Sequence, residues 1–315
     1  MIFPEKTPHE IKADLEEALL RAQPYTQQGH LADYIPVLGK SDPSMLGISV
    51  TFLDGTTVSA GDTQVPFTMQ SVSKIFSLIV ALQDRSFDYV FSRVGMEPTG
   101  DPFNSIVKLE TIKPHRPLNP MINAGAIAVS SLVSGSTADE RFERILDLLR
   151  RMSGRPDIQL NQAVYQSELD TADRNRALAY FMRDSGIIEG DVEEILDLYV
   201  RHCAIELCSA DLSRIAAILS NDGFDLFTGE QIVPLPIARI VKTFMVTCGM
   251  YNASGEYAIS VGVPSKSGVS GGIMATVPHK MGIGVFGPSL DEKGNSIGGV
   301  KLLEELSARW NLSIF

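Results

Sequence analysis

Gln70-Ser71-Val72-Ser73-Lys74-Ile75-Phe76-Ser77-Leu78-Ile79-Val80-Ala81-Leu82 is the stretch on which the reading of the whole chain turns. From Lys74 onward it is apolar on most sides, which predicts a buried helix. At its start a hydroxyl and an amine stand three residues apart. Residues i and i+3 share a helix face, so the Lys74 amine is expected within reach of the Ser71 hydroxyl. Unpaired amides and the positive dipole end of a first turn favour a developing anion there. Such a pair fits acyl transfer by a serine with lysine, not histidine, as its base. A free lysine titrates near 10.4, so acting as a base at neutral pH requires a drop of roughly three pH units, about 4 kcal/mol. Burial against Phe67, Ile75 and Leu78 would supply much of it. The plain alternative is a helix cap followed by a lysine whose stem lies along the surface.

Ser105-Ile106-Val107-Lys108 fits the same four-residue pattern. It lies between Pro102 and the prolines at 114, 117 and 120, which oppose a helix, so only the first copy has a rigid platform.

The 315 residues, 44% of them hydrophobic, allow one large or two modest domains with a full core. A net charge of -11 and a pI near 5.0 argue against binding nucleic acid or an anionic membrane. No apolar stretch reaches membrane-spanning length, and Met1 to Lys6 show no basic start with an apolar core, so a cytoplasmic location is expected. Cys203, Cys208 and Cys248 lack metal-ligand spacing and read as buried free thiols, and His9, His30, His115, His202 and His279 are scattered, so no metal site is expected. Gly39-Lys40-Ser41 resembles the end of a phosphate-binding loop, but Tyr34 stands where that loop needs glycine.

His9 to Gln27 reads as an amphipathic helix capped by Thr7, and Leu46 to Phe52 with Thr57 to Ala60 as a hairpin turning at Asp54-Gly55. Helices are predicted over 124–133, 139–152, 171–184, 191–202 and 209–220. Strands are predicted over 258–263, 273–277 and 282–286, with a closing helix over 302–310. The implied class is α+β: a mixed, mainly antiparallel sheet domain from 1–65 and 225–315, and a mainly helical domain inserted at 66–224, with the Ser71 helix at the seam.

Lys266-Ser267-Gly268-Val269 reads either as an edge strand whose backbone approaches a ligand or as a glycine-rich turn with a solvated lysine. A strand amide beside Ser71, with the Ser71 amide, would make an oxyanion hole. Asn123 fits a helix cap or a polar group facing the cleft equally well. Glu168, Asn175 and Tyr199 stand in otherwise core-forming segments, and Tyr251 sits in a loop from which a phenol could relay a proton.

Taken together, Gln70-Ser71-Val72-Ser73-Lys74, Asn119-Pro120-Met121-Ile122-Asn123-Ala124-Gly125-Ala126, Ser167-Glu168, Arg174-Asn175 and Lys266 to Gly272 resemble the serine-dependent glutaminases, within the group of β-lactamase-like and DD-peptidase-like folds. The resemblance implies hydrolysis of L-glutamine to L-glutamate and ammonia, without cofactor or metal, by a homodimer or homotetramer. It implies Ser71 as nucleophile, Lys74 as base, Tyr251 as proton relay, and the amides of Ser71 and Val269 as the oxyanion site. Tyr34, Gln70, Asn123, Glu168, Asn175 and Tyr199 are implied to line the glutamine pocket. A targeting extension and the ankyrin repeats of animal relatives are not expected. Two rival readings are a β-lactamase or cell-wall peptidase using the same pair, and a glutamine-binding module without turnover.

Overall fold

A computed structural model describes residues 6–315, so Met1 to Glu5, which carried most of the amino-terminal reading, lie outside the described residues. A five-stranded sheet runs in the spatial order Thr57–Gly61, Gly47–Phe52, Met281–Phe286, Gly272–Val277, Ser265–Ser267, and every pairing in it is antiparallel. The expected hairpin closes at Asp54-Gly55, where Gly55 takes a φ of +89° and its amide donates to Phe52 O at 3.0 Å.

Strand alternation divides the sheet's two faces. Met281, Ile283 and Val285 enter a core with Leu15, Ala18, Leu302, Leu306 and Trp310 of the helices Pro8–Ala22 and Ile297–Trp310. Gly282 and Gly284 point the other way, onto the helix Ser209–Ser220. That helix lies so close that a Cβ on Gly284 would sit 2.1 Å from Ser209 O, so glycine sets the helix-to-sheet spacing.

The helix Lys74–Asp84 is central to a second core, packed by the helices Asn123–Ser130, Ala138–Ser153 and Leu235–Cys248. The helices Asp173–Asp184 and Val192–Cys203 form a third core with Asn123–Ser130. All three cysteines are buried and unbridged. Among the described residues no helix is long and apolar enough to cross a membrane.

Several expectations are corrected. Ser71 lies in a 3-10 turn, Gln70–Ser73, and the α-helix begins only at Lys74. Residues i and i+3 eclipse in a 3-10 turn, so Ser71 and Lys74 still stack. The segment 258–263 is no strand: Ser254–Ser260 is helical, burying Tyr257 and Val261 four residues apart and leaving Ile259 91% exposed. Further helices not foreseen include Phe87–Arg93, capped by Ser86, Gln162–Asp170, capped by Asn161, and Leu235–Cys248, whose buried stripe is Ile237, Ala238, Val241, Phe244, Met245 and Cys248. The proline-flanked segment carries a short helix, Val107–Thr111, but Ser105 precedes it.

Candidate active site

The Gln70–Ser73 turn is fixed by unusual backbone on both sides. Gln70 is left-handed at φ +47°, a conformation that costs a non-glycine residue on the order of 1 kcal/mol or more. Gly268, just past the edge strand Ser265–Ser267, approaches so closely that a Cβ on it would lie 2.5 Å from Met69 O. Among the described residues, the amides of Ser71 and Val269 donate to no backbone acceptor.

Lys74 is fully buried, and its Nζ donates to Asn123 Oδ1 at 2.7 Å and Met121 O at 3.2 Å. Burial pulls its pKa down to about 8, against weaker opposing pulls from Cys203 and Glu168. The structure shows no hydrogen bond between this amine and Ser71; its partners are Asn123 and Met121. Catalytic contacts often tighten only when substrate is bound. The Ser71 side chain meets the Tyr251 hydroxyl instead, which lowers a phenol pKa that burial otherwise drives far up. Tyr251, itself left-handed at φ +55°, donates through its hydroxyl to Ser267 O at 3.2 Å.

Lys266 corrects the solvated-lysine alternative: it is fully buried, with Nζ 4.5 Å from the Tyr251 ring centroid. It donates to Ser267 O at 2.6 Å and Gly249 O at 3.2 Å. Burial drives its pKa well down, and the charge of Lys74 adds to the effect.

One cleft brings Ser71 and Val269 together with Tyr34, Gln70, Asn123, Glu168, Asn175 and Tyr199. Glu168 is buried and accepts from Gln70 Nε2 at 3.1 Å; burial lifts its pKa to about 7, while Gln70 and Lys74 pull it down. Asn123 Nδ2 donates to Asn175 Oδ1 at 3.0 Å, so one amide joins the lysine to the cleft wall. Tyr199 is buried edge-on to His202, whereas Tyr34 is 53% exposed. The sequence reading missed Phe103, which lines the cleft and packs on the Tyr251 ring with centroids 4.8 Å apart, and Cys203. Phe103 stands alone in a proline-rich loop with no periodicity to mark it. Arg174, beside Asn175 in the motif, also lines the cleft.

Among the described residues no cluster of three His, Cys, Asp or Glu could hold a metal ion. A larger cavity, about 510 Å³, lies away from Ser71, but its Arg155 is already paired with Asp157 and Asp211.

The sequence model of the glutaminase family matches residues 29–315. The glutaminase of Shouchella clausii is 56% identical over 302 residues, covering 96% of this chain and 98% of that one. The glutaminase of Geobacillus thermodenitrificans is 55% identical over 304 residues, again covering 96% and 98%. A probable glutaminase of Bacillus subtilis, solved in complex with 6-diazo-5-oxo-L-norleucine, is 42% identical and superposes with a TM-score of 0.90 over 99% of both chains. The α+β, β-lactamase-like architecture expected from the sequence is the one observed. With this motif order, this architecture and likeness along nearly its whole length, the chain belongs to the glutaminase family.

Proposed function

We propose that this enzyme, an amidohydrolase converting L-glutamine to L-glutamate and ammonia, works through an ester on Ser71. Ser71 Oγ attacks the side-chain amide carbon as its proton passes to uncharged Lys74, and the Ser71 and Val269 amides stabilise the oxyanion. The C–N bond then breaks, with Tyr251 relaying a proton to the departing ammonia. Water next attacks the ester, the same groups return the proton to Ser71, and glutamate leaves. Glu168 suits the substrate ammonium, while Tyr34, Gln70, Asn123, Asn175 and Tyr199 complete the pocket. Each step is acyl or proton transfer, which these side chains complete without a cofactor.

The observation that carries this reading is Lys74: a fully buried amine held by a neutral amide, one 3-10 turn from a serine that meets a phenol. We place the enzyme in the cytoplasm as a homodimer or homotetramer, and the net charge of -11 supports a reading without nucleic-acid or anionic-membrane partners. Ser71→Ala is expected to lower kcat by at least about 10⁴-fold while calorimetry still detects glutamine binding. Retained hydrolysis would overturn the assignment.

A further inference from the structure

We propose that His202, acting through Ser73, aims the Ser71 amide into the cleft and so serves as a positioning residue for the oxyanion site. This rests on the reading of Ser71 as nucleophile. His202, on the helix Val192–Cys203, is fully buried and does not touch the reacting atoms in the scheme above. Its Nδ1 lies 2.7 Å from Ser73 Oγ and its Nε2 3.0 Å from Ser130 Oγ. Ser73 Oγ in turn donates to Gln70 O at 2.7 Å.

The Gln70 carbonyl and the Ser71 N–H belong to one peptide unit, and in a planar trans peptide they point in opposite directions. Holding the carbonyl on Ser73 therefore turns the amide away from it, and that amide has no backbone acceptor among the described residues. Gln70 is itself left-handed at φ +47° without being glycine, a backbone state that only surrounding contacts hold in place.

Counting protons shows what the ring contributes. Burial, helped by the charge of Lys74, pulls the His202 pKa to about 3, so the ring is neutral and carries one N–H. With that proton on Nδ1, the ring donates to Ser73 Oγ, the Ser73 proton goes to Gln70 O, and Nε2 accepts from Ser130. With it on Nε2, Ser130 gives its proton to Ala126 O at 2.9 Å, and Nδ1 draws the Ser73 proton away from Gln70. Only the first arrangement keeps the Ser73 hydroxyl on Gln70 O beside the backbone N–H of the 3-10 turn, a second tether on the peptide, and we assign the Nδ1–H tautomer on that ground.

Four variants test this in the full-length enzyme: Ser73→Ala, His202→Leu, His202→Asn, whose amide nitrogen takes the place of Nδ1, and the double variant S73A/H202L. A misaimed oxyanion donor weakens the transition state more than glutamine binding. Ser73→Ala and His202→Leu are therefore expected to lower kcat roughly 10- to 100-fold with KM changed by less than about twofold. His202→Asn should regain most of the lost kcat, and the double variant should be no slower than the worse single one. Full kcat in Ser73→Ala, a His202→Asn enzyme as slow as His202→Leu, or KM rising in step with falling kcat would overturn the proposal. If His202→Leu does not fold, Ser73→Ala and His202→Asn decide. An active Ser71→Ala enzyme would instead refute the nucleophile assignment, whereas an inactive Ser71→Ala beside a fully active Ser73→Ala refutes the positioning role alone.

Discussion

Asn123→Asp replaces a neutral amide oxygen 2.7 Å from Lys74 Nζ with a carboxylate of nearly the same shape, and also removes the donor that Asn123 Nδ2 supplies to Asn175 Oδ1. With the Lys74 pKa at about 8, half the amine is uncharged at pH 8. A carboxylate at hydrogen-bond distance raises the pKa of such a base by roughly one to three pH units. The uncharged fraction at pH 8 then falls from about one half to between about 9% and 0.1%, and kcat drops about 5- to 500-fold. The loss is expected to shrink as pH rises, because the amine still releases its proton at the higher pKa. Tyr251 adds no limb of its own, since burial holds its phenol protonated across this range. Initial rates of ammonia release at saturating glutamine, from pH 6 to 10, would show the acid limb of the variant displaced to higher pH. A limb that stays in place, or a loss equal at every pH, would refute Lys74 as the base.

Glu168 titrates at about 7, above its ordinary value, so it carries a proton below that pH. KM for glutamine should therefore rise as pH falls through 7, and Glu168→Gln should raise KM about 30-fold or more and remove that dependence. The same raised pKa means that ionising Glu168 destabilises the fold as pH climbs from about 4.5 to 7. Glu168→Gln should flatten this decline in denaturant unfolding measured across that window. Gly268→Ala places a Cβ against Met69 O and is expected to push the edge strand off the Ser71 turn, lowering kcat about 100-fold in steady-state assays. Gly284→Ala, crowded by Ser209 O and two strands removed from the edge strand Ser265–Ser267, should instead cost about 1–3 kcal/mol in denaturant unfolding and leave kcat per folded molecule unchanged.

What the sequence revealed was what short-range chemistry dictates. The Lys74–Asp84 helix was readable because a continuous apolar run has one plausible home, and the hairpin because Asp54-Gly55 specifies its turn. The helix Leu235–Cys248, with Pro234 at its N-cap position, has an apolar stripe equally open to reading from the sequence. Ala258 to Val263 is rich in β-prone residue types, yet the four-residue spacing of Tyr257 and Val261 matches the helical turn it adopts. In the site, motif residues came together as their order implied, whereas groups defined only by distant partners stayed hidden. His202 finds Ser73 and Ser130 across 129 and 72 residues, and no local pattern announces either contact. Lys266 looks like any surface lysine until the fold encloses it.

The buried charges of this site share one feature that bears on how it works. Elsewhere the buried aspartates are paired, Asp211 with Arg155 and Asp225 with Arg214. At the site, Lys74 faces an amide and a carbonyl, Lys266 faces two carbonyls, and Glu168 accepts from an amide. Neutral dipoles satisfy hydrogen bonds without the Coulombic attraction that locks a charge in place. Each group is thereby spared the cost of an unmet polar atom, yet its pKa shifts toward neutrality instead of away from it. An ion pair at any of these positions would strengthen the fold's electrostatics and hold the proton too firmly for transfer. The choice of Asn rather than Asp at position 123 is where that trade is most exposed, since one atom there separates a lysine able to serve as a base near neutral pH from one held mostly charged there.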